Sequence, residues 1–133
     1  MGSDPGLDVP LHELPVLTEA ERSCLQRYVD VLVDELGENL VEVAVFGSVA
    51  RGDSWPRGMP IRSDLDLLVV TDSAAPPETV ASLVDATLPL FLESGRQIGP
   101  QFKTEAQLES PTTEREARFL EDVAREAVRI WER

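Results

Sequence analysis

The chain has 133 residues, of which 42% are hydrophobic and 28% are charged, and its formal net charge is −13. This length and composition predict one globular domain with one hydrophobic core. Because nucleic acids and anionic membranes attract cationic surfaces, so negative a charge argues against passive adhesion to either of them. A small, locally positive pocket remains compatible with the overall charge.

The beginning of the chain carries no recognisable targeting signal. Residues 1–16 lack a basic stretch followed by an apolar segment and a cleavage site, and no apolar run in the chain reaches the length of a membrane span. We therefore expect a cytoplasmic protein. Residues 1–17 contain two glycines and three prolines without periodicity, so we expect an N-terminal arm at 1–17 and a single domain at 18–133.

Neither the lone histidine nor the lone cysteine indicates a catalytic group. His12 lies in the expected arm, and the chain has no second histidine with which it could share a metal. Cys24 cannot form an internal disulfide and lies in a helical pattern without a neighbouring base. We interpret Cys24 as a buried packing residue.

The first predicted helix begins at a capping box. Thr18 is followed three positions later by Glu21, so each side chain can bond the backbone amide of the other. Apolar residues then recur at the three-and-four spacing of one helical face, and Gly37 is typical of a helix C-terminus.

A short strand and a glycine turn come next. Residues 40–46 are mostly apolar and rich in valine, which predicts a strand near the centre of a sheet. Gly47 and Ser48 follow it. A glycine lets backbone amides approach a phosphate closely, and Ser48 adds a hydroxyl donor, although Gly-Ser alone is common turn chemistry.

The second predicted strand carries two acids. In Ser63–Val70 the side chains alternate between faces, so Asp64 and Asp66 point the same way. Leu65, Leu67 and Val69 point the other way, into the core. Two like charges on one face repel each other, and a divalent cation relieves that repulsion. Mg²⁺ suits the pair because it takes hard oxygen ligands and is typically held by one or two carboxylates together with substrate phosphate.

The order Gly47-Ser48-Val49-Ala50-Arg51-Gly52, followed by Ser63-Asp64-Leu65-Asp66-Leu67, resembles the signature of the DNA polymerase β-like nucleotidyltransferase superfamily, in its minimal nucleotidyltransferase branch. The resemblance implies that Gly47 and Ser48 hold the phosphates of a nucleoside triphosphate such as ATP. It also implies that Asp64 and Asp66 are the catalytic carboxylates that bind Mg²⁺. Arg51 either neutralises triphosphate charge or ties down the turn through a salt bridge.

Two features depart from the family pattern. The interval between Ser48 and Asp64 is a few residues longer than usual and includes Arg57 and Arg62. The third carboxylate of the family lies on a later strand, whereas the matching stretch here, residues 96–104, contains no acid. In two-metal phosphoryl transfer that carboxylate commonly acts on the attacking hydroxyl, so its absence bears on turnover more than on nucleotide binding.

The second half of the chain predicts further helices and an edge strand. A helix starts at Pro76-Pro77 with Val80, Leu83, Val84 and Leu88 on its apolar face, and Pro89 kinks or ends it. Pro100 indicates an edge strand. A last helix is predicted over residues 113–131, with Phe119 and Ile130 lying off its packing stripe. These two residues either pack against the sheet or form a partner surface.

These observations predict an α+β fold: a small mixed or antiparallel sheet, helices packed mainly on one face, and the site at the end of the first two strands. The first functional hypothesis is an enzyme that transfers a nucleoside monophosphate to a hydroxyl of a protein, an RNA end or a small molecule. The second is a non-catalytic or weakly active partner protein, antitoxin-like or regulatory. A helical partner protein or a homodimer is compatible with either.

Overall fold

The computed structural model describes residues 17–47 and 64–133. Residues 1–16, with His12, and residues 48–63, with Ser48, Arg51, Arg57 and Arg62, lie outside the described part. The described helices are α1 (Glu19–Leu36), α2 (Pro77–Asp85), α3 (Thr87–Ser94), α4 (Glu105–Glu109) and α5 (Glu114–Glu126), with a 3₁₀ turn at Gly37–Asn39. The described strands are β1 (Leu40–Phe46), β2 (Leu65–Thr71), β3 (Ile98–Thr104) and β4 (Val128–Glu132).

The strands form one mixed sheet in the order β3-β2-β1-β4. β1 is antiparallel to both β2 and β4, whereas β2 and β3 are parallel, and α2 and α3 supply the crossover that a parallel pair requires. β1 is therefore an interior strand, as predicted. β3 lies at the edge, where Pro100 removes an amide without breaking a central ladder.

The two faces of the sheet are covered unequally. We call them the α1 face, which packs against α1, α2 and α3, and the α5 face, which packs against α5. The buried cluster of the α1 face consists of Leu17, Cys24, Leu25, Tyr28, Val29, Leu32, Leu36, Leu40, Val43, Val45, Leu65, Leu67, Val69, Leu83, Leu90, Ile98 and Ile130. The buried cluster of the α5 face consists of Ala44, Leu68, Val70 and Val123. The fold is thus the expected α+β arrangement, with helices mainly on one face.

Both bonds of the predicted capping box are present at the start of α1. The Thr18 hydroxyl accepts from the Glu21 amide, and the Glu21 carboxylate accepts from the Thr18 amide. Glu21 is also buried and forms an ion pair with the buried Arg96, whose Nη1 lies 3.3 Å from Glu21 Oε1. Each of these buried charges would be costly without the other, so the two side chains have to stay together. The pair therefore fixes the start of α1 to the segment before β3.

The helix predicted from Pro77 is interrupted before Pro89. α2 ends at Asp85 and α3 begins at Thr87, because a proline lacks an amide and its ring collides with the carbonyl four residues earlier. The predicted apolar face is only partly correct. Leu83 is buried, but Val84 and Leu88 are 45% and 56% exposed.

The predicted last helix was too long. α5 ends at Glu126, and residues 128–132 form β4, which pairs with β1 and buries Ile130 in the main core. Phe119, predicted to lie off the packing stripe, packs on the α5 face with its ring centroid 5.4 Å from that of Phe46. Phe119 therefore packs against the sheet and Ile130 is buried within it, which agrees with packing, one of the two alternatives that the sequence left open.

Two further predictions concern single residues and membrane spans. Cys24 is buried, and its thiol lies 3.8 Å from the Leu90 carbonyl oxygen, which agrees with a packing role. Leu17, the last residue of the expected arm, is part of the core. Within the described ranges, 17–47 and 64–133, no helix combines the length and the apolar character that crossing a bilayer requires.

Candidate active site

The start of β2 places two carboxylates at the edge of the core. Leu65, Leu67 and Val69 enter the α1 face, so the alternation of the strand turns Asp66 to the α5 face. Asp66 is half-buried, and Asp64, immediately before the strand, is exposed.

Asp64 and Asp66 converge on Gly99 of β3. The parallel register sets Asp66 opposite Gly99. A Cβ atom built on Gly99 would lie 3.6 Å from Asp66 Oδ1 and 4.0 Å from Asp64 Oδ2. One point of β3 is thus within 4.0 Å of an oxygen from each aspartate, so the two carboxylates lie on the same side. Because Gly99 has no side chain, the space between them stays open.

Gly47, the residue after β1, lies very close to the Asp66 carboxylate. Gly47 has φ +75°, in the left-handed region that favours glycine. A Cβ on Gly47 would overlap Asp66 Oδ2 and lie 3.4 Å from Asp66 Cγ. Glycine is therefore required at position 47 both by the backbone conformation and by the approach of Asp66.

The amide of Gly47 is engaged by a residue from the far end of the chain. Gly47 N donates to Glu126 Oε1 at 3.3 Å, and Glu126 is the last residue of α5. This contact joins the end of α5 to the glycine after β1, and the Glu126 carboxylate therefore lies close to Gly47 as a third acid beside Asp64 and Asp66.

A cavity of about 450 Å³ opens beside Asp66 on the α5 face. Its walls include the Phe46 and Phe119 rings, and Lys103 and Arg115 as cationic groups. Lys103 Nζ lies 5.8 Å from the centroid of the Phe119 ring, a favourable cation–π distance. The cavity therefore combines an aromatic wall with both signs of charge.

The wall that β3 contributes to this side lacks an acid. Gly99 faces the aspartates, and Gln101 and Lys103 line the cavity with Asp66. The third carboxylate of the family pattern therefore has no counterpart on β3. Because β3 contributes glutamine and lysine there, Asp64 and Asp66 are the acids that β2 and β3 and their adjoining residues supply on this side.

The donor set suits a hard cation. Within residues 17–47 and 64–133, no group of three or more His, Cys, Asp or Glu side chains is placed to hold a metal ion. Asp64 and Asp66 supply oxygen donors on one side of an open space, which fits Mg²⁺, since Mg²⁺ commonly takes one or two carboxylates and completes its shell with water and phosphate.

The structure thus brings three of the predicted site residues together: Gly47, Asp64 and Asp66. Ser48 and Arg51 lie outside the described residues. Sequence reasoning missed Glu126 and Lys103, because each reaches the site only through the tertiary fold.

A family model described as a nucleotidyltransferase domain matches residues 25–123. The chain belongs to this nucleotidyltransferase family. The matched region contains β1, β2 and β3, and therefore Gly47, both aspartates and Gly99.

Two solved structures from one toxin–antitoxin pair agree with this chain on the fold. Two crystal structures of mutants of the toxin–antitoxin pair MntA–HpeT superpose with TM-scores of 0.54 and 0.52, at 16% and 12% identity. These two alignments cover 82% and 80% of this chain and 72% of each matched chain. A structure described as a minimal nucleotidyltransferase is 28% identical over 91% of this chain and 96% of its own, with a TM-score of 0.49. No curated protein matches the chain.

Proposed function

We propose that this nucleotidyltransferase uses Mg²⁺ to transfer a nucleoside monophosphate from a nucleoside triphosphate, such as ATP, to a hydroxyl acceptor. The observation that carries the proposal is the convergence of Asp64 and Asp66 on Gly99, next to the glycine turn at Gly47. The acceptor hydroxyl attacks the α-phosphorus and releases its proton to the solvent, the bond between the α-phosphorus and the bridging oxygen breaks, and pyrophosphate leaves.

Each residue of the site has a distinct role in this proposal. Asp64 and Asp66 hold Mg²⁺, which when bound neutralises phosphate charge and orients the phosphates. Gly47, at the end of β1, leaves room for the Asp66 carboxylate. Ser48 and Arg51, expected from the sequence to bind phosphate, complete the nucleotide site.

The spacing of the aspartates has a parallel among the similar structures. One of the MntA–HpeT mutants carries two aspartate-to-glutamate replacements that are separated by one position. Asp64 and Asp66 have the same separation here. This parallel supports an experiment on the pair as a unit.

Isothermal titration calorimetry with ATP and Mg²⁺ tests the binding half of the proposal. We expect binding by the parent chain and a loss of roughly tenfold or more in the Asp64→Asn/Asp66→Asn double variant, which corresponds to about 1.4 kcal/mol of binding free energy. Asparagine keeps the size of each side chain and removes its charge. The matched control is Asp72→Asn, which changes an exposed aspartate just beyond the other end of β2. Equal binding by the double variant and the parent would contradict the site assignment.

Labelled nucleotides test the transfer half. Incubation with α-labelled ATP, GTP, CTP or UTP and a cell extract should label an acceptor, whereas γ-labelled nucleotides should release their label as pyrophosphate. Label transferred from the γ-position instead would indicate a kinase-like reaction and reject nucleotidyl transfer.

A second candidate function is a non-catalytic or weakly active partner protein. The composition of β3 favours it, since Gly99, Gln101 and Lys103 offer no carboxylate to act on an acceptor hydroxyl. Two of the similar structures come from a toxin–antitoxin pair, which is compatible with a role of this kind. A stoichiometric partner that co-purifies without acquiring α-label would favour this candidate, and any labelled acceptor would reject it.

A further inference from the structure

The crossover between β2 and β3 exposes a row of large apolar side chains. Val84, Leu88, Phe91 and Leu92 are 45%, 56%, 37% and 74% exposed. We call these four residues the α2–α3 ridge. Single exposed apolar residues are normal on a protein surface, whereas four within nine positions form a contiguous apolar strip.

The spacing of the ridge is that of one helical face. Its members stand at intervals of four, three and one residues, and Ala86, between α2 and α3, keeps near-helical dihedrals of φ −64° and ψ −15°. The periodicity therefore continues across the break. Opposite the ridge, Leu83 and Leu90 are buried against α1, where Tyr28 donates to the Leu83 carbonyl. The fold itself thus leaves the ridge uncovered by the described residues.

The surroundings of the ridge are acidic. α2 and α3 carry Glu78, Asp85 and Glu93 and contain no lysine or arginine. All three acids are exposed. Arg27 of α1 approaches Glu93 and donates to both of its carboxylate oxygens, so its charge is already engaged there. An occupant of the ridge therefore meets an apolar strip bordered by negative charge.

We propose that the α2–α3 ridge is a docking surface for an amphipathic helix of a different protein, one whose apolar stripe is flanked by lysine or arginine. Side chains on such a helix pack between those of the ridge, and its basic flanks complement Glu78 and Asp85. The helices that carry the ridge, α2 and α3, pack on the sheet face opposite Asp66, so a helix bound to the ridge leaves the candidate active site open.

The acidic border of the ridge favours a basic helix of another protein over two other occupants, which are a second copy of the chain and residues 1–16. A second copy of the chain would bring the same acidic border against itself, and each copy carries a net charge of −13. Residues 1–16 of the chain contain three acids and no lysine or arginine. Both alternatives place like charges together, whereas a basic helix does not. The inference is independent of nucleotidyl transfer, and its test uses no nucleotide.

Fluorescence polarisation with a labelled synthetic peptide tests the proposal. The probe is an amphipathic leucine–lysine peptide of about 18 residues, which forms about five helical turns. We expect the full chain to bind it, and the Leu88→Ser/Leu92→Ser variant to bind it roughly tenfold more weakly. The control is Val33→Ser, which removes a 36% exposed apolar side chain from α1. This control should bind as the parent does.

The remaining outcomes reject the proposal. Equal binding by the double variant would show unspecific attraction to an acidic protein, and absence of binding by the parent would exclude this kind of helix. Sedimentation of the parent as a dimer that the double variant abolishes would identify a second copy as the occupant. A roughly tenfold gain in peptide affinity on deleting residues 1–16 would identify the chain's own segment. Circular dichroism checks that the variants fold, and the single substitution Leu92→Ser, at the most exposed position, replaces the double variant if that variant unfolds.

Discussion

The α1 face of the sheet carries most of the buried core, whereas the α5 face carries the candidate active site. Among the described residues, the buried cluster of the α1 face has seventeen members and that of the α5 face has four. The α5 face is also the one that carries Asp66, the Gly47–Glu126 hydrogen bond and the cavity beside them. A sheet that buries one face deeply can therefore leave charged groups accessible on the other.

This division follows from the period of β2. Leu67 and Leu68 are adjacent in the strand, yet one enters the large cluster and the other the small one. Each position of β2 consequently faces the α1 face or the α5 face according to whether its number is odd or even. Substitutions at adjacent positions should therefore have different consequences, and the following predictions use that contrast.

The largest expected effect is on the α1 face. Leu67→Ala should lower the free energy of unfolding by about 4 kcal/mol, because it leaves a cavity in the larger cluster. Leu68→Ala is the matched change on the α5 face and should cost about 2 kcal/mol, since a thinner layer can relax around it. Urea unfolding followed by circular dichroism measures both. Equal losses, or a greater loss for Leu68→Ala, would contradict the division between the faces.

The second prediction concerns Gly47, where one substitution should change both stability and nucleotide affinity. Gly47→Ala should cost about 1–3 kcal/mol, because alanine is strained at φ +75° and its Cβ overlaps the Asp66 carboxylate. We also expect a roughly tenfold loss of ATP–Mg²⁺ affinity, measured by calorimetry, as Asp66 is displaced.

Gly95→Ala is the control for this prediction. Gly95 has φ +77°, and no atom lies within 4 Å of the position that a Cβ would take, so alanine there introduces the same backbone strain without touching Asp66. It should lower stability and leave nucleotide affinity unchanged. A similar loss of affinity in both variants would indicate that strain alone, and not the overlap with Asp66, is responsible.

The smallest expected effect lies in the α1 face and depends on pH. Tyr28 is buried and donates to the Leu83 carbonyl at 2.9 Å, and burial raises the pKa of its hydroxyl. The folded state therefore favours the neutral phenol. Its stabilising contribution is complete below the unfolded pKa of about 10 and is lost as the pH rises above that value.

Tyr28→Phe should cost about 1 kcal/mol at neutral pH through the lost hydrogen bond, and should weaken the loss of stability in alkali. Thermal unfolding across the alkaline range measures this. Tyr28 is the only tyrosine of the chain, so its phenolate absorbance reports ionisation directly. Ionisation of the folded protein at the pKa of a free tyrosine would show that Tyr28 is not protected by burial.

Local signals in the sequence were sufficient for the first half of the fold. The capping box at Thr18 and the glycine at position 37 bracket α1, and the apolar run at residues 40–46 coincides with β1. The common orientation of Asp64 and Asp66 was predictable for the same reason, since it depends only on the alternation of one strand.

Features that depend on contacts between residues far apart in the sequence could not be predicted. The spacing of Val128 and Trp131 is compatible with a helix as well as with a strand, and pairing with β1 decides between the two. The contact of Glu126 with Gly47 joins residues 79 positions apart. No sequence pattern around either residue predicts that contact, so the Glu126 carboxylate was not expected beside Gly47.

The parallel pairing of β2 and β3 makes the chain tolerant of insertions at one end only. Both strands begin at the site, where Leu65 N donates to the Gln97 carbonyl and Asp66 stands opposite Gly99. If one residue added within 95–97 shifted the register of β3 by one position, Ile98 would stand opposite Asp66, and its branched side chain would fill the gap between the carboxylates. Residues 73–76 follow the far end of β2, roughly 20 Å away, and an epitope tag or reporter domain placed there would leave that spacing intact.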